Sequence, residues 1–150
     1  MNLKNYTSTV PVERSVAQIE RRLVAHGAHD ILKLYEDKKL TGIAFITTIE
    51  GQKIPFRIPA RVENVRKSMV SSLKRPRKGS VDRASDQAER TAWKLLADWV
   101  DIQVSLLELN QAKFMEVFLP YMYDHNKKRT LFERMESDGI KNLLTYTGGG

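Results

Sequence analysis

Between Ala88 and Leu109 one face of the chain is written in steps of four and three: Ala88, Ala92, Leu95, Trp99, Ile102, Leu106 and Leu109. Only an α-helix brings residues at those spacings onto one side. A second stripe, Trp93, Leu96, Val100, Val104 and Leu107, widens the apolar face beside it. Ser85 is a credible N-cap, with Asp86 and Glu89 in the first turn opposing the positive end of the helix dipole. The pattern predicts a helix over 86–109, about 36 Å long at 1.5 Å per residue. A face that broad must be covered by the rest of a 150-residue chain or by another molecule. The first expectation is that the seam packs against the short apolar stretch Phe114–Leu119 and a sheet; the sharper alternative is self-association through Leu95, Trp99, Ile102 and Leu106, giving a homo-oligomer through the 86–109 helix.

The residues before this helix supply a sheet. Asn5–Val10 is rich in Tyr, Thr and Val and ends at Pro11, which predicts a first strand. Ser15-Val16-Ala17-Gln18 fits a capping box, and Val16, Ile19 and Leu23 share a face, which predicts a helix over 16–26 closed by Gly27. Strands are expected over 30–35, 40–50 and 52–58, with turns at Glu36–Lys39 and Glu50-Gly51. Pro55 cannot donate to a ladder and marks the last strand as an edge. Val62, Val65, Met69 and Leu73 give an amphipathic helix over 60–73. After the long helix, Phe114–Leu119 reads as a short apolar helix. Thr130-Leu131-Phe132-Glu133 reads as a capping box opening a last helix. Thr147–Gly150 reads as a flexible tail.

The predicted class is therefore α+β: a small antiparallel β-α-β-β-β sheet unit followed by a helical C-terminal half with one long helix. The expected divisions are a basic sheet unit over 1–73, a basic linker over 74–84 and a helical unit over 85–150 packed on the sheet as one compact domain.

Charge divides the chain in the same place. Residues 1–83 carry 17 Lys and Arg against 8 Asp and Glu, whereas residues 84–150 carry 8 against 10. The division pivots on Lys74-Arg75-Pro76-Arg77-Lys78-Gly79-Ser80-Val81-Asp82-Arg83, in which Pro76 and Gly79 interrupt regular structure. Lys74, Arg75, Arg77, Lys78 and Arg83 are the first candidates for phosphate contact. Lys53, Arg57, Arg61, Arg66 and Lys67 join them if the last strand and the following helix adjoin the run. Stacking partners are sparse: Tyr35 and Phe56 are the available rings, and Phe56 is expected in the core.

Other chemistry lacks the residues it requires. No cysteine is present, so disulfides and thiolate metal sites are excluded. His26 and His29 are three apart but separated by the break at Gly27, and His125 is remote, so no metal site is predicted. Asp98 and Asp101 are i, i+3 without a paired base or pocket residue. No P-loop, dinucleotide fingerprint or G-x-S-x-G element occurs. The expectation is a non-enzymatic protein without a cofactor. No run of eighteen apolar residues and no apolar N-terminal stretch occurs, which predicts no membrane span and a cytoplasmic location.

The chain also resembles a family of small hypothetical proteins of bacteriophages and integrated mobile elements. The resemblance rests on Asn5-Tyr6-Thr7, Ala25-His26-Gly27-Ala28, Gln87-Ala88-Glu89-Arg90-Thr91-Ala92-Trp93, Asp98-Trp99-Val100 and Val117-Phe118-Leu119-Pro120-Tyr121. It implies an accessory protein working in a bacterial host's cytoplasm, without an assigned activity or site. Together with the charge it makes nucleic acid, DNA or RNA, the first expected partner. The alternative is a counter-defence protein that inhibits a host enzyme or defence complex by binding it. A net charge of +7 is opposite to that of an acidic DNA mimic.

Overall fold

The computed structural model describes residues 3–75 and 77–142; Pro76 and the tail at 147–150 lie outside the described residues. The fold is α+β. Helix α1 (Val12–Ala25) leads into three sequential strands, β1 (Ala28–Glu36), β2 (Lys39–Ile49) and β3 (Gln52–Pro59). Helices α2 (Val62–Ser71) and α3 (Ser80–Glu108) follow. The chain then forms α4 (Phe114–Phe118), a single 3-10 turn (Leu119–Tyr121), a two-residue-stranded hairpin β4 (Tyr123–Asp124) and β5 (Arg129–Thr130), and α5 (Leu131–Asp138).

The three main strands make an antiparallel meander in the order β1-β2-β3. Alternation along β2 and β3 puts Ile43, Phe45, Thr47, Phe56 and Ile58 on one buried face. Phe45 and Phe56 are cross-strand partners whose rings stack at 5.2 Å. The ring of Phe118 on α4 meets them edge-on at 6.0 and 6.4 Å. Helix α3 supplies Trp93, Ala97, Val100 and Val104 to the same core, and α1 supplies Val16, Ile19 and Leu23. Helix α3 packs on both α1 and α2.

Four expectations change. The segment 5–10 forms no strand. Asn5 adopts a left-handed φ of 61°, and Tyr6 and Ser8 donate to the carbonyls of Leu3 and Asn5 in tight turns. Its carbonyls bond side chains of α3 instead of a neighbouring strand: Thr91 Oγ1 donates to Asn5 O at 2.9 Å, and Gln87 Nε2 to Ser8 O at 2.9 Å. The sheet order is thus α-β-β-β, because strand propensity yields to tertiary partners. Helix α1 starts at Val12 with extended Pro11 as its cap, so Ser15 is an interior, buried residue and not a capping one.

Helix α3 begins at Ser80 rather than 86. Gly79, at φ 83°, turns the chain into the helix, and Ser80 Oγ accepts from Arg77 N at 3.0 Å. The segment 80–84 is therefore helical, not linker. Finally, the two apolar stripes share the buried face unequally: the first gives Ala88 and Ala92, at 0% and 2% exposure, and the second gives the larger sealed side chains. Trp93, Val100 and Val104 are sealed, whereas Ile102 is 55% and Leu109 66% exposed.

Candidate nucleic-acid interface

The unburied face of β3 carries Lys53 and Arg57, and Arg61 follows at its end. An isolated antiparallel bridge between Phe56 and Met122 docks the β4–β5 hairpin on this edge strand. That docking brings cations from the far end of the sequence. Tyr123 lies under Arg57, with the guanidinium 4.3 Å from the ring centroid. Phe132 at the start of α5 lies 6.0 Å from the Arg61 guanidinium. Both are cation–π arrangements, the first close and the second at the limit of the range. Arg57 Nε is buried without a hydrogen-bond partner among the described residues.

The hairpin turn is built by Asp124, whose Oδ1 accepts from Asn126 N at 2.9 Å and Lys127 N at 3.2 Å. The hydrogen bond from the Lys127 amide, with that from Asn126 and the charges of Lys127 and Arg129, holds the Asp124 carboxyl below its usual range against a smaller desolvation effect. The carboxylate is thereby tied to its own turn, while the side chains of Lys127 and Lys128 remain exposed. Thr130 caps α5 as expected: its Oγ1 accepts from Glu133 N at 3.2 Å, and Glu133 Oε1 accepts from Thr130 N at 3.0 Å. Arg129 Nη1 donates to Ser137 Oγ at 3.0 Å.

Two grooves flank the hairpin. The larger, about 550 Å³, is lined by Arg57, Arg61 and Lys128 with Tyr35, Tyr123 and Phe132, and also by Glu36 and Glu136. The smaller, about 290 Å³, is lined by Lys53, Arg129 and Arg134 beside Pro55 and Leu131.

The remaining candidates lie elsewhere. Arg66 is held by Glu63 through two hydrogen bonds of 2.7 and 2.9 Å. That bond, with the charges of Arg66, Lys67 and Lys39, keeps the Glu63 carboxyl below its ordinary range. Lys67 is exposed on α2. Lys74, Arg75, Arg77 and Lys78 are exposed in the connection to α3, and Arg83 donates to Ser80 Oγ from the first turn of that helix. Helix α2 has ten residues, so about 15 Å of helix separates Arg61 from the 74–78 run. Phe56 is 1% exposed and unavailable for stacking; Tyr35 is 61% exposed.

Among the self-association candidates, Trp99 packs edge-on against Phe118 and Tyr121, each at 5.7 Å. Leu95 and Leu106 are half-buried and Ile102 is exposed. His26 Nε2 pairs with Glu108 at 2.9 Å, His29 bonds Thr48 and Asp30, and His125 packs on Tyr123. Among the described residues no group of three or more His, Asp or Glu is placed to hold a metal ion, and no helix is long and apolar enough to cross a membrane.

Sequence reasoning missed Tyr123, Lys127, Lys128, Arg129, Phe132 and Arg134. The signal was the run Lys127-Lys128-Arg129 five residues after Pro120-Tyr121-Met122, hidden by averaging charge over a half of the chain that is net acidic. Comparison with known proteins finds no match to this chain: no family model, no curated protein and no solved structure.

Proposed function

We propose that the protein is a non-enzymatic nucleic-acid-binding protein whose contact surface follows strand β3 and the β4–β5 hairpin. The observation that carries this reading is the convergence of Lys53, Arg57 and Arg61 with Lys128, Arg129 and Arg134 from a distant part of the chain. The nearby carboxylates are partly committed: Asp124 to its turn, Glu133 to the α5 cap, and Asp138 to Arg134 at 3.6 Å. Such a surface attracts a polyanion and neutralises phosphates, releasing counterions. The exposed Lys74, Arg75, Arg77 and Lys78 extend the reach toward a longer strand or duplex. The setting, an accessory protein of a phage or mobile element, comes from the resemblance alone.

Anisotropy titration of labelled DNA and RNA at about 50 and 200 mM salt tests the reading, with binding expected to weaken by tenfold or more at the higher salt. Arg57→Ala combined with Lys128→Ala weakens binding, and Lys74→Ala with Arg75→Ala weakens it less. Absence of binding at low salt overturns the reading. A protein partner, as in a counter-defence inhibitor, is the second reading. It is favoured by the exposed Ile102 on α3 and Leu109 at its C-terminal cap, 55% and 66% exposed. Recovery from host lysate of one stoichiometric protein, lost with Ile102→Glu, supports it.

A further inference from the structure

We infer that the groove between the sheet and α5 receives an unpaired base, so that the preferred polyanion is single-stranded. This rests on the nucleic-acid reading and sharpens it. In a duplex each base face is covered by its neighbours, so a protein ring can stack only on a base that has left the stack or never joined one. The groove supplies such rings on three separate elements: Tyr35 at the end of β1, Tyr123 on β4 and Phe132 on α5. Tyr35 and Phe132 are 61% and 40% exposed, so neither ring is consumed by the core. The guanidinium of Arg57 already lies over Tyr123 at 4.3 Å, and a planar cation held on one ring stacks on a second π-face.

The charges are arranged for the rest of a nucleotide. Arg61 and Lys128 are exposed at the groove and available to phosphate. Glu36 and Glu136 line the same groove, where they disfavour phosphate and can accept hydrogen bonds from N–H groups of a base edge, the ring N3–H of thymine or uracil included. A volume of about 550 Å³ lies in the range of pockets that enclose small aromatic ligands, and is far too small to admit a double helix. The basic surface outside it would then follow the flanking backbone.

The test uses labelled oligo-dT, oligo-rU and a DNA duplex of the same length, titrated against the full chain and three variants. Tyr35→Ala and Phe132→Leu remove exposed rings, and Arg57→Lys keeps the charge but removes the planar stack. Thermal unfolding confirms that each variant folds. Tighter binding of a single strand than of the duplex, weakened about tenfold by Tyr35→Ala or Phe132→Leu with duplex binding unchanged, is the expected result. The dT and rU arms distinguish the two sugars. Equal, salt-sensitive binding of strand and duplex that ignores all three variants overturns this inference and leaves the broader reading standing. If neither strand nor duplex binds at low salt, both fall.

Discussion

Gly42 occupies a position where no side chain fits. A Cβ there would lie 2.7 Å from the backbone oxygen of Ile58 and 3.3 Å from Pro59 Cα, on the strand it faces. Neither atom moves without moving β3, whose outer edge bears the basic surface. Gly42→Ala is therefore expected to destabilise the fold by about 1–3 kcal/mol, read as a lowered denaturation midpoint at unchanged slope. Trp93, 1% exposed at the centre of α3, should cost more. Trp93→Ala leaves a cavity that the surrounding helices cannot close, a loss of about 3–5 kcal/mol by the same measurement. Position 93 was legible from its place in an apolar helical stripe. The demand at Gly42 was not, because it depends on which residue of another strand stands opposite.

At the level of elements, local rules succeeded where both partners lay within a few residues. The Thr130–Glu133 capping box and the β1-β2-β3 meander were legible for that reason. Thr130→Ala should cost about 1 kcal/mol, measurable by chemical denaturation. Segment 5–10 was misread because its partners are some eighty residues away: Gln87, Thr91 and Asp98 on α3 hold it down. The β4–β5 hairpin escaped notice because two-residue strands carry no periodicity to detect.

Asp98 gives the N-terminal attachment a pH dependence. Partial burial pushes its carboxyl up, but hydrogen bonds from Lys94 at 2.7 Å and Asn5 at 2.8 Å, with the charges of Lys94 and Lys4, outweigh this and hold it below the usual range. Its contribution to stability is thus complete above the ordinary carboxylate value of about 4 and is lost as pH falls through the lower folded value. Faster amide exchange or proteolysis of residues 3–10 below about pH 4, relative to the rest of the chain, is the expected sign. Asp98→Asn should loosen the segment at neutral pH and flatten that dependence.

For the molecule as a whole, the division of charge along the sequence was real but misleading as a map. Lys128, Arg129 and Arg134 belong spatially with the cations of β3, and Lys74, Arg75, Arg77 and Lys78 follow the far end of α2. Folding rearranged what linear averaging had grouped. The apolar face of α3 was legible as a face, but how its two stripes would share the burial depended on how α1, α2 and α4 close around it. Ile102→Glu is expected to leave the denaturation midpoint within about 0.5 kcal/mol of the parent, since the side chain is already 55% exposed. Any oligomer formed through this stripe dissociates in that variant, as sedimentation velocity would record.

The dependence of the sheet on α3 and α4 also governs how the chain is made. Strands β1 to β3 are neighbours in sequence and can pair early during synthesis, with α1 already made, yet the rings packed on Phe45 and Phe56, those of Phe114 and Phe118, are made much later. Until that point leaves the ribosome, the nascent chain displays a paired but incompletely covered aromatic surface, a state prone to association with its own kind. Translation pauses or truncations between residues 60 and 113 should therefore yield insoluble or chaperone-bound product, whereas release of the chain through α4 should restore solubility.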